Sequence, residues 1–459
     1  MTLIKSISGL RGTIGGKAGE NLSPLDVVKF SAGYGAWLLE NHKKAKVVIG
    51  RDARPSGASF AQLVSNTLIN QGIDVVDLGL STTPTVEMAV MAEKAQGGII
   101  LTASHNPAGW NALKLLNEKG EFISGTDGAR VLELADSEVM FAPSHKFGKY
   151  ATNEDYIQYH IDQVLKHELV DVEAIKKAGF KVVVDAVNST GGISIVPLLK
   201  ALGVEVQELF CEPTGNFPHN PEPLPENLQQ ISTELKNGQY QLGIVVDPDV
   251  DRLALMTEDG EPFGEEYTIV AVADYVLTHK KGNTVSNLSS SRALRDVTEK
   301  HGCEYNSSAV GEVHVVAKMK ETNAVIGGEG NGGVIVPELH YGRDALAGVA
   351  LFLSHLAKFG KSASMLRAKY PNYHISKNKI ELTEDINVDR VLEAIKEKYK
   401  SSPINTIDGV KIEFDNEWVQ LRKSNTEPII RIFAESESQN TAEHLAQKLI
   451  MDIKEVISG

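Results

Sequence analysis

Cysteine is scarce in this chain: Cys211 and Cys303 are the only two among 459 residues. A disulfide framework is excluded by number, and neither cysteine belongs to a metal-spaced pair. Positive charge is also short. Lys and Arg total 46 against 60 Asp and Glu, a net charge of −14, which argues against non-specific binding to nucleic acid or to an anionic membrane. An anionic substrate would need positive charge gathered locally. No apolar run reaches the length of a membrane span, and the opening MTLIKSISGLRGTIGG is too polar and Gly-rich for a secretory signal. Proline is sparse beside glycine, 17 against 40, a balance that favours tight strand-to-helix turns over disordered linkers. The apolar share of 42% and the charged share of 23% suit a soluble globular protein. The expectation is a cytoplasmic protein of about three or four domains, because 459 residues exceed one ordinary core.

What is present is a rhythm of short β-branched runs and amphipathic stretches over about the first 250 residues, as in α/β proteins. Ser23-Pro24 predicts an N-cap and an N1 proline, with Asp26 completing a capping box. The helix so begun runs to about His42 and buries Val28, Trp37 and Leu38. Lys46-Val47-Val48-Ile49 reads as a buried strand. Aligning such strands exposes an internal repeat. KVVIGRDARPSG from Lys46 leads through a helix to QGIDVVDLG from Gln71, and KVVVDAVNSTGG from Lys181 leads to LGVEVQELF from Leu202. A fainter copy, NTVSNLSSSRAL from Asn283, leads to HGCEYNSSA from His301. These units imply related α/β domains in tandem. Toward the carboxyl end KNKIELTED, VKIEFDNEWVQLR and PIIRIFAES read as alternating strands, with charged helices at about 388–400 and 440–457, a smaller α+β domain. The domains are placed at 1–150, 151–256, 257–370 and 371–459, the last boundary marked by Tyr370-Pro371-Asn372.

Four segments carry chemistry. In GGIILTASHNPAGWNALKLL, residues 97–116, a strand runs into a loop that places Ser104 beyond its carboxyl end, where ligands collect in α/β sheets. His105 and Asn106 supply polar partners, Pro107 stiffens the loop, and Lys114 follows at a distance that lets it return. No G-x-S-x-G elbow surrounds the serine, so acyl transfer is not indicated. In GIVVDPDVDRLALM, residues 243–256, Asp247, Asp249 and Asp251 stand at alternate positions and can converge on one hard cation, with Mg2+ favoured. An EF-hand fails although Glu258 stands at the twelfth position, because Arg252 replaces the required glycine and the flanks read as strands. Arg252 beside three aspartates is explained by an anion arriving at the metal.

In AVIGGEGNGGVIVPELHYGRDALAG, residues 324–348, Gly328, Gly330 and Gly333 match a dinucleotide fingerprint formally. Val334-Ile335-Val336-Pro337 follows where a helix is required, so an oxidoreductase is a distant alternative. A loop exposing Glu329 and Asn331 suits sugar hydroxyls better. In QLRKSNTEPIIRIFAES, residues 420–436, Arg422, Ser424, Asn425 and Thr426 make a phosphate cradle in one turn, and Pro428 with the run after it, which holds Arg431, reads as a strand. Arg11, Arg51 and Arg54 lie in Gly-rich loops; with Arg252, Arg343 and Arg422 they would offset the acidic net charge around a bisphosphorylated ligand.

These segments, in this order, resemble the α-D-phosphohexomutase family, which includes phosphoglucomutases, phosphomannomutases and phosphoglucosamine mutases. TASHNP resembles its phosphoserine loop, DPDVDR its metal loop, GGEGNGG its sugar-specificity loop and RKSNTEP its phosphate-binding loop, and the resemblance runs from Ser8 to about Glu435. It implies three tandem related α/β domains with mixed sheets plus a smaller C-terminal α+β domain around a central cleft, each giving one loop. It also implies that Ser104 carries a phosphoryl group and that Mg2+ is held by that phosphate with Asp247, Asp249 and Asp251. Ser104 would phosphorylate a hexose monophosphate, and the sugar 1,6-bisphosphate would return its other phosphate. Lys114 or His105 would move the proton, with Lys114 favoured, and Arg11 and Arg252 would assist. Glu329, Asn331 and Arg343 would hold the sugar, and Arg422, Ser424, Asn425, Thr426 and Arg431 the distal phosphate. Many relatives have a serine and a histidine after the glutamate; here Asn331 and Gly333 take those places, leaving His340 or Arg343 to compensate. The spelling leans toward phosphoglucosamine mutase, with phosphomannomutase/phosphoglucomutase as the alternative and a non-catalytic sugar-phosphate binder as a third reading. The partner implied is a hexose phosphate, with no nucleic acid and no membrane, and the chain a monomer or homodimer.

Overall fold

The computed structural model describes residues 2–6, 9–382, 386–423 and 429–458. Local chemistry sets the first helix, Pro24–Asn41. Ser23 N donates to Asp26 Oδ2 at 3.0 Å, and Ser23 Oγ accepts from Asp26 N at 3.4 Å, so the expected capping box is formed. Its core stripe is Val27, Phe30, Tyr34, Trp37 and Leu38, spaced by three and four residues. Val28 falls one position off that stripe and is only half-buried.

The repeat persists as topology. In the first unit Lys46–Arg51 pairs in parallel with Asp74–Leu80 on one side and Gly97–Leu101 on the other, and Gly97–Leu101 then pairs antiparallel with Trp110–Leu116. In the second, Lys181–Asp185 lies between Glu205–Leu209 and Leu242–Val246, and Leu253–Thr257 is the antiparallel fourth strand. In the third, Thr284–Asn287 lies between Tyr305–Ser308 and Ile326–Glu329, with Gly333–Ile335 antiparallel. The first sheet is widened to seven strands by Ile4–Ser6 and Gly9–Thr13 at one edge and Tyr150–Thr152 at the other. Gly97–Leu101 and Leu242–Val246 are buried at every residue, as strands covered on both faces must be.

The placed boundaries at 150 and 256 fall inside the strands Tyr150–Thr152 and Leu253–Thr257. One reason is that the second and third units share a continuous apolar core, from Ile161 to Tyr370, into which the helices Glu265–His279 and Ala345–Phe359 are packed. The fourth unit is a five-stranded antiparallel sheet with Val388–Lys398 and Gln439–Ser458 on one face. Its other face meets the third unit through polar ties: Lys411 Nζ donates to Leu288 O at 2.8 Å, and Ser289 Oγ donates to Gln420 Oε1 at 2.6 Å.

Helix Pro24–Asn41 packs closely on helix Gly125–Ala135 where Gly33 meets Ala135; a Cβ on Gly33 would lie 2.7 Å from Ala135 Cβ. In an exposed helix Gly→Ala gains up to about 1 kcal/mol. Here overpacking of about 1–3 kcal/mol reverses the sign. Gly33→Ala is therefore expected to lower the thermal unfolding midpoint, measured by calorimetry.

Candidate active site

The antiparallel fourth strand of each unit forces the chain to reverse at the carboxyl end of the third strand. The reversals bear Ser104, the three aspartates and the Gly330–Gly333 turn, so equivalent turns of three units supply the candidate residues. Such turns lie where α/β sheets bind ligands.

Ser104 sits at φ +48°, a left-handed conformation unusual for a side-chain-bearing residue. It is held there from below. Arg54, 1% exposed, donates through its guanidinium to the carbonyls of Ser104, Asn106 (2.7 Å), Pro107 (2.6 Å) and Trp110 (3.1 Å), while Nε donates to Asp52 Oδ2 at 2.9 Å. Thr102 Oγ1 donates to the same Asp52 oxygen at 2.7 Å and accepts from Ser104 N at 2.9 Å. Arg54 therefore braces the serine loop and is spent on it, which corrects its expected place among the ligand-facing arginines.

Ser104 Oγ donates to Asp247 Oδ2 at 2.6 Å. The aspartates are fully buried and their carboxylate oxygens lie within 4.8 Å of one another. Asp247 Oδ1 accepts from Arg252 N at 3.1 Å. Asp249 Oδ2 accepts from Lys114 Nζ at 2.7 Å and Thr83 Oγ1 at 2.6 Å. Asp251 Oδ2 accepts from Arg343 Nη2 at 2.7 Å and lies 3.4 Å from Lys114 Nζ. Asp249 Oδ1 and Asp251 Oδ1 are buried without a hydrogen-bond partner. Each aspartate has one oxygen held by a protein cation, hydroxyl or backbone N–H, and Asp249 and Asp251 each keep a second, unpartnered oxygen, a donor set that fits a hard cation. Burial, then Asp251 and Asp249, push the Asp247 carboxyl well above its usual range. Burial acts the same way on Asp249, but Lys114 prevails and holds it down.

Lys114 and His105 both reach this cluster, Lys114 through Asp249 and His105 beside Ser104. Burial opposes the Lys114 charge, yet Asp249 and Asp251 raise its pKa, so the ammonium is its resting form. His105 Nδ1 is 3.4 Å from Ser104 Oγ, and burial followed by Arg252 pulls the imidazole down to about 3. The Arg252 guanidinium is loosely held: its closest carboxylates are Glu222 at 3.8 Å and Asp251 at 4.0 Å, and its buried Nε lacks a hydrogen-bond partner.

The expected sugar residues are more enclosed than their loop suggests. Glu329 is 4% exposed; its Oε1 accepts from Asn287 Nδ2 at 2.7 Å and Gly311 N at 3.1 Å. Asn331, half-buried, accepts at Oδ1 from Gly333 N at 3.2 Å. Arg343 donates through Nε to Glu312 Oε2 at 2.8 Å and lies 3.3 Å from Glu329 Oε2 through Nη1. Glu312 was not foreseen, because at the start of helix Glu312–Thr322 it looks like an ordinary first-turn acid. Arg11 and Arg431 come from the first and last sheets, and desolvation followed by the Arg431 charge lowers the Arg11 pKa. Arg422 pairs through Nε with Asp408 Oδ2 at 2.8 Å. Ser424, Asn425 and Thr426 lie outside the described residues.

His340 does not take the missing histidine's place. It is buried, with Nδ1 at 3.1 Å from Glu87 Oε2 and Nε2 at 3.2 Å from Asp344 Oδ2. His160 Nε2 reaches the same Asp344 oxygen at 2.8 Å, and its Nδ1 is 2.9 Å from Thr85 Oγ1. Burial opposes the His340 charge, but Asp344 and Glu87 carry its pKa up to about 10. Burial, with Glu312 adding, pushes Glu87 up to about 8.

Comparison with known proteins gives one consistent result. Residues 4–150, 158–260 and 264–373 match the patterns for phosphoglucomutase/phosphomannomutase alpha/beta/alpha domains I, II and III, and residues 379–451 match the C-terminal domain. A phosphoglucomutase/phosphomannomutase of Thermococcus kodakarensis is 36% identical, covering 98% of this chain and 99% of its own. A probable phosphoglucosamine mutase of Methanopyrus kandleri is 32% identical over 96% of both. The crystal structure of a phosphoglucomutase/phosphomannomutase family protein from Burkholderia thailandensis, 27% identical, superposes with a TM-score of 0.85 over 99% of each chain.

The Glu87–His340 pair has a consequence for stability. The raised His340 pKa stabilises the fold fully below about 6.5, and that contribution is lost as pH rises through about 10. The raised Glu87 pKa acts with the same sign, stability falling as pH rises from 4.5 through about 8. The thermal midpoint should therefore fall with rising pH across this window, and the double variant Glu87→Gln/His340→Gln should show a shallower fall by calorimetry.

Proposed function

The chain belongs to the phosphoglucomutase/phosphomannomutase family and is a phosphohexomutase, and from that premise we propose that it interconverts glucosamine 6-phosphate and glucosamine 1-phosphate. The charge around the sugar loop carries the choice of sugar. Glu312 and Glu329 share one guanidinium, Arg343, which is also drawn to Asp251, in a nearly dry setting. The surplus negative charge favours a protonated amine over a neutral hydroxyl. The Methanopyrus relative's name supports the same sugar.

In this reading phosphorylated Ser104 gives its phosphoryl group to the free hydroxyl of the hexose phosphate. The resulting 1,6-bisphosphate turns over within the cleft and returns its other phosphoryl group to Ser104. Asp247, Asp249 and Asp251 would hold Mg2+, which supplies charge neutralisation at the transferring phosphoryl group. Lys114 carries the proton: its Nζ donates to the oxygen that leaves phosphorus and recovers a proton from the attacking hydroxyl. His105 lies beside the serine as a neutral imidazole. Arg252, loosely paired, is available to the transferring phosphoryl group. Arg11, Arg431 and Arg422, with Ser424, Asn425 and Thr426, are assigned to the phosphate that is not reacting, because like cations from two domains are relieved by an anion between them. Glu329 and Asn331 are assigned to the sugar hydroxyls.

Incubation with glucose 1,6-bisphosphate should add one phosphoryl group to the intact mass of the wild type and none to Ser104→Ala, whose mutase rate should drop to background. Chelation by EDTA should remove activity and Mg2+ restore it. Glucosamine 6-phosphate should turn over faster than glucose 1-phosphate or mannose 1-phosphate. Faster turnover of both neutral sugars would reject the sugar assignment and leave the mutase standing.

A further inference from the structure

Gly333 lies directly against Arg343. A Cβ on Gly333 would stand 2.4 Å from Arg343 Cδ, 3.0 Å from Cγ and 3.1 Å from Asn331 Oδ1. Those separations are far inside contact distance, so the absence of a side chain at 333 is what lets the arginine stem pass. The stem crosses the sugar turn there, and residue 343 forms a bridge with Ile335 of the strand that follows the turn. The next residue anchors it: Asp344 caps helix Ala345–Phe359, accepting from Leu346 N at 2.8 Å and Ala347 N at 3.1 Å. His160 and His340 grip the other oxygen of Asp344. The base of Arg343 is thus fixed, and its fork ends among three carboxylates from three segments.

The geometry points to Arg343 as a positioning residue that makes the metal loop and the sugar loop one unit. This rests on the proposed reading of the aspartates as a Mg2+ site and of Glu329 as a sugar ligand. By occupying Asp251 Oδ2 at 2.7 Å, Arg343 leaves Oδ1, buried and without a hydrogen-bond partner, free to take a cation. Through Nη1 it holds Glu329 Oε2 at 3.3 Å, and through Nε it holds Glu312 Oε2 at 2.8 Å, so the sugar loop is referenced to the same group. Three of its faces are committed to protein carboxylates, which sets it apart from the substrate-binding arginines with which the sequence groups it. A lysine is a point charge and cannot serve three carboxylates in one plane. The glycine at 333 and the arginine at 343 form a matched pair: the first is needed for the second to reach.

The test is a calorimetric titration with Mg2+ alone on wild type, Arg343→Lys, Arg343→Gln and Gly333→Ala, with KM and kcat for glucosamine 6-phosphate on the same samples. Both Arg343 variants should bind Mg2+ about 10- to 100-fold more weakly, the loss seen when an outer-shell partner of a metal ligand is removed. KM should rise in the same variants, since Glu329 loses its reference. Gly333→Ala should show both effects with Arg343 still present, and it carries the test if an Arg343 variant does not fold. Mg2+ affinity within about twofold of wild type in Arg343→Gln or Gly333→Ala overturns the inference, whatever happens to turnover. Weakened Mg2+ binding with KM unchanged also overturns it, because the two loops would then be uncoupled. A wild type that takes up no Mg2+ rejects the metal reading instead, and an unchanged KM beside it rejects the sugar half of the inference.

Discussion

Mutual repulsion of Asp247, Asp249 and Asp251, buried within 4.8 Å of one another, is the constraint that the surrounding structure answers. Burial and like charges in a poorly screened interior both raise a carboxyl pKa, and Asp247 shows the two acting together, burial first and then Asp251 and Asp249. The answering groups come from several parts of the chain. Ser104, Thr83 and Lys114 reach in from the first unit, and Arg343 reaches in from the third. The triad therefore works as a clamp between units as well as a candidate cation site. Thr83 N donating to Asp249 O at 2.9 Å adds a backbone tie across the same seam.

Topology explains why the chemistry is distributed in this way. Each α/β unit ends its parallel run with an antiparallel strand, so each has one tight reversal at the carboxyl edge of its sheet. Val250 in the metal loop and Ser104 in the serine loop both adopt positive φ, at 61° and 48°. Strain of that kind persists only where neighbours over-determine it, and the Arg54–Asp52 brace does so for Ser104. A buried guanidinium with a carboxylate and four carbonyls has little left to offer a ligand.

The fourth unit is attached differently. Its inner face is apolar and packs its own helices, while its outer face meets the third unit by hydrogen bonds and ion pairs such as Arg295–Glu413 at 2.7 Å. Glu435 is buried at that seam and accepts from Arg292 N at 3.0 Å and Trp418 Nε1 at 2.6 Å. Interfaces of this polar kind resist separation less than a shared apolar core does. The contrast with the second and third units, whose cores are continuous, is a difference in the chemistry of the seam.

Much was legible in the sequence because it is local. The capping box at Ser23–Asp26, the β-branched strands and the alternate aspartates follow from spacing within a few residues, and the order of the four loop motifs survives as a family signature. The role of each charged side chain was not legible in that way. Arg54 and Arg343 look alike as arginines in loops, yet one is buried under Ser104 and the other joins Asp251, Glu312 and Glu329. His340, a reasonable substitute on sequence distance, is buried against Glu87 and Asp344. Sequence alone determined the family, the order of its four domains and the class of reaction. Tertiary structure decided which cation meets which carboxylate, because that pairing is between residues of different units, and no periodicity along one strand or helix records what will face it after the chain has folded.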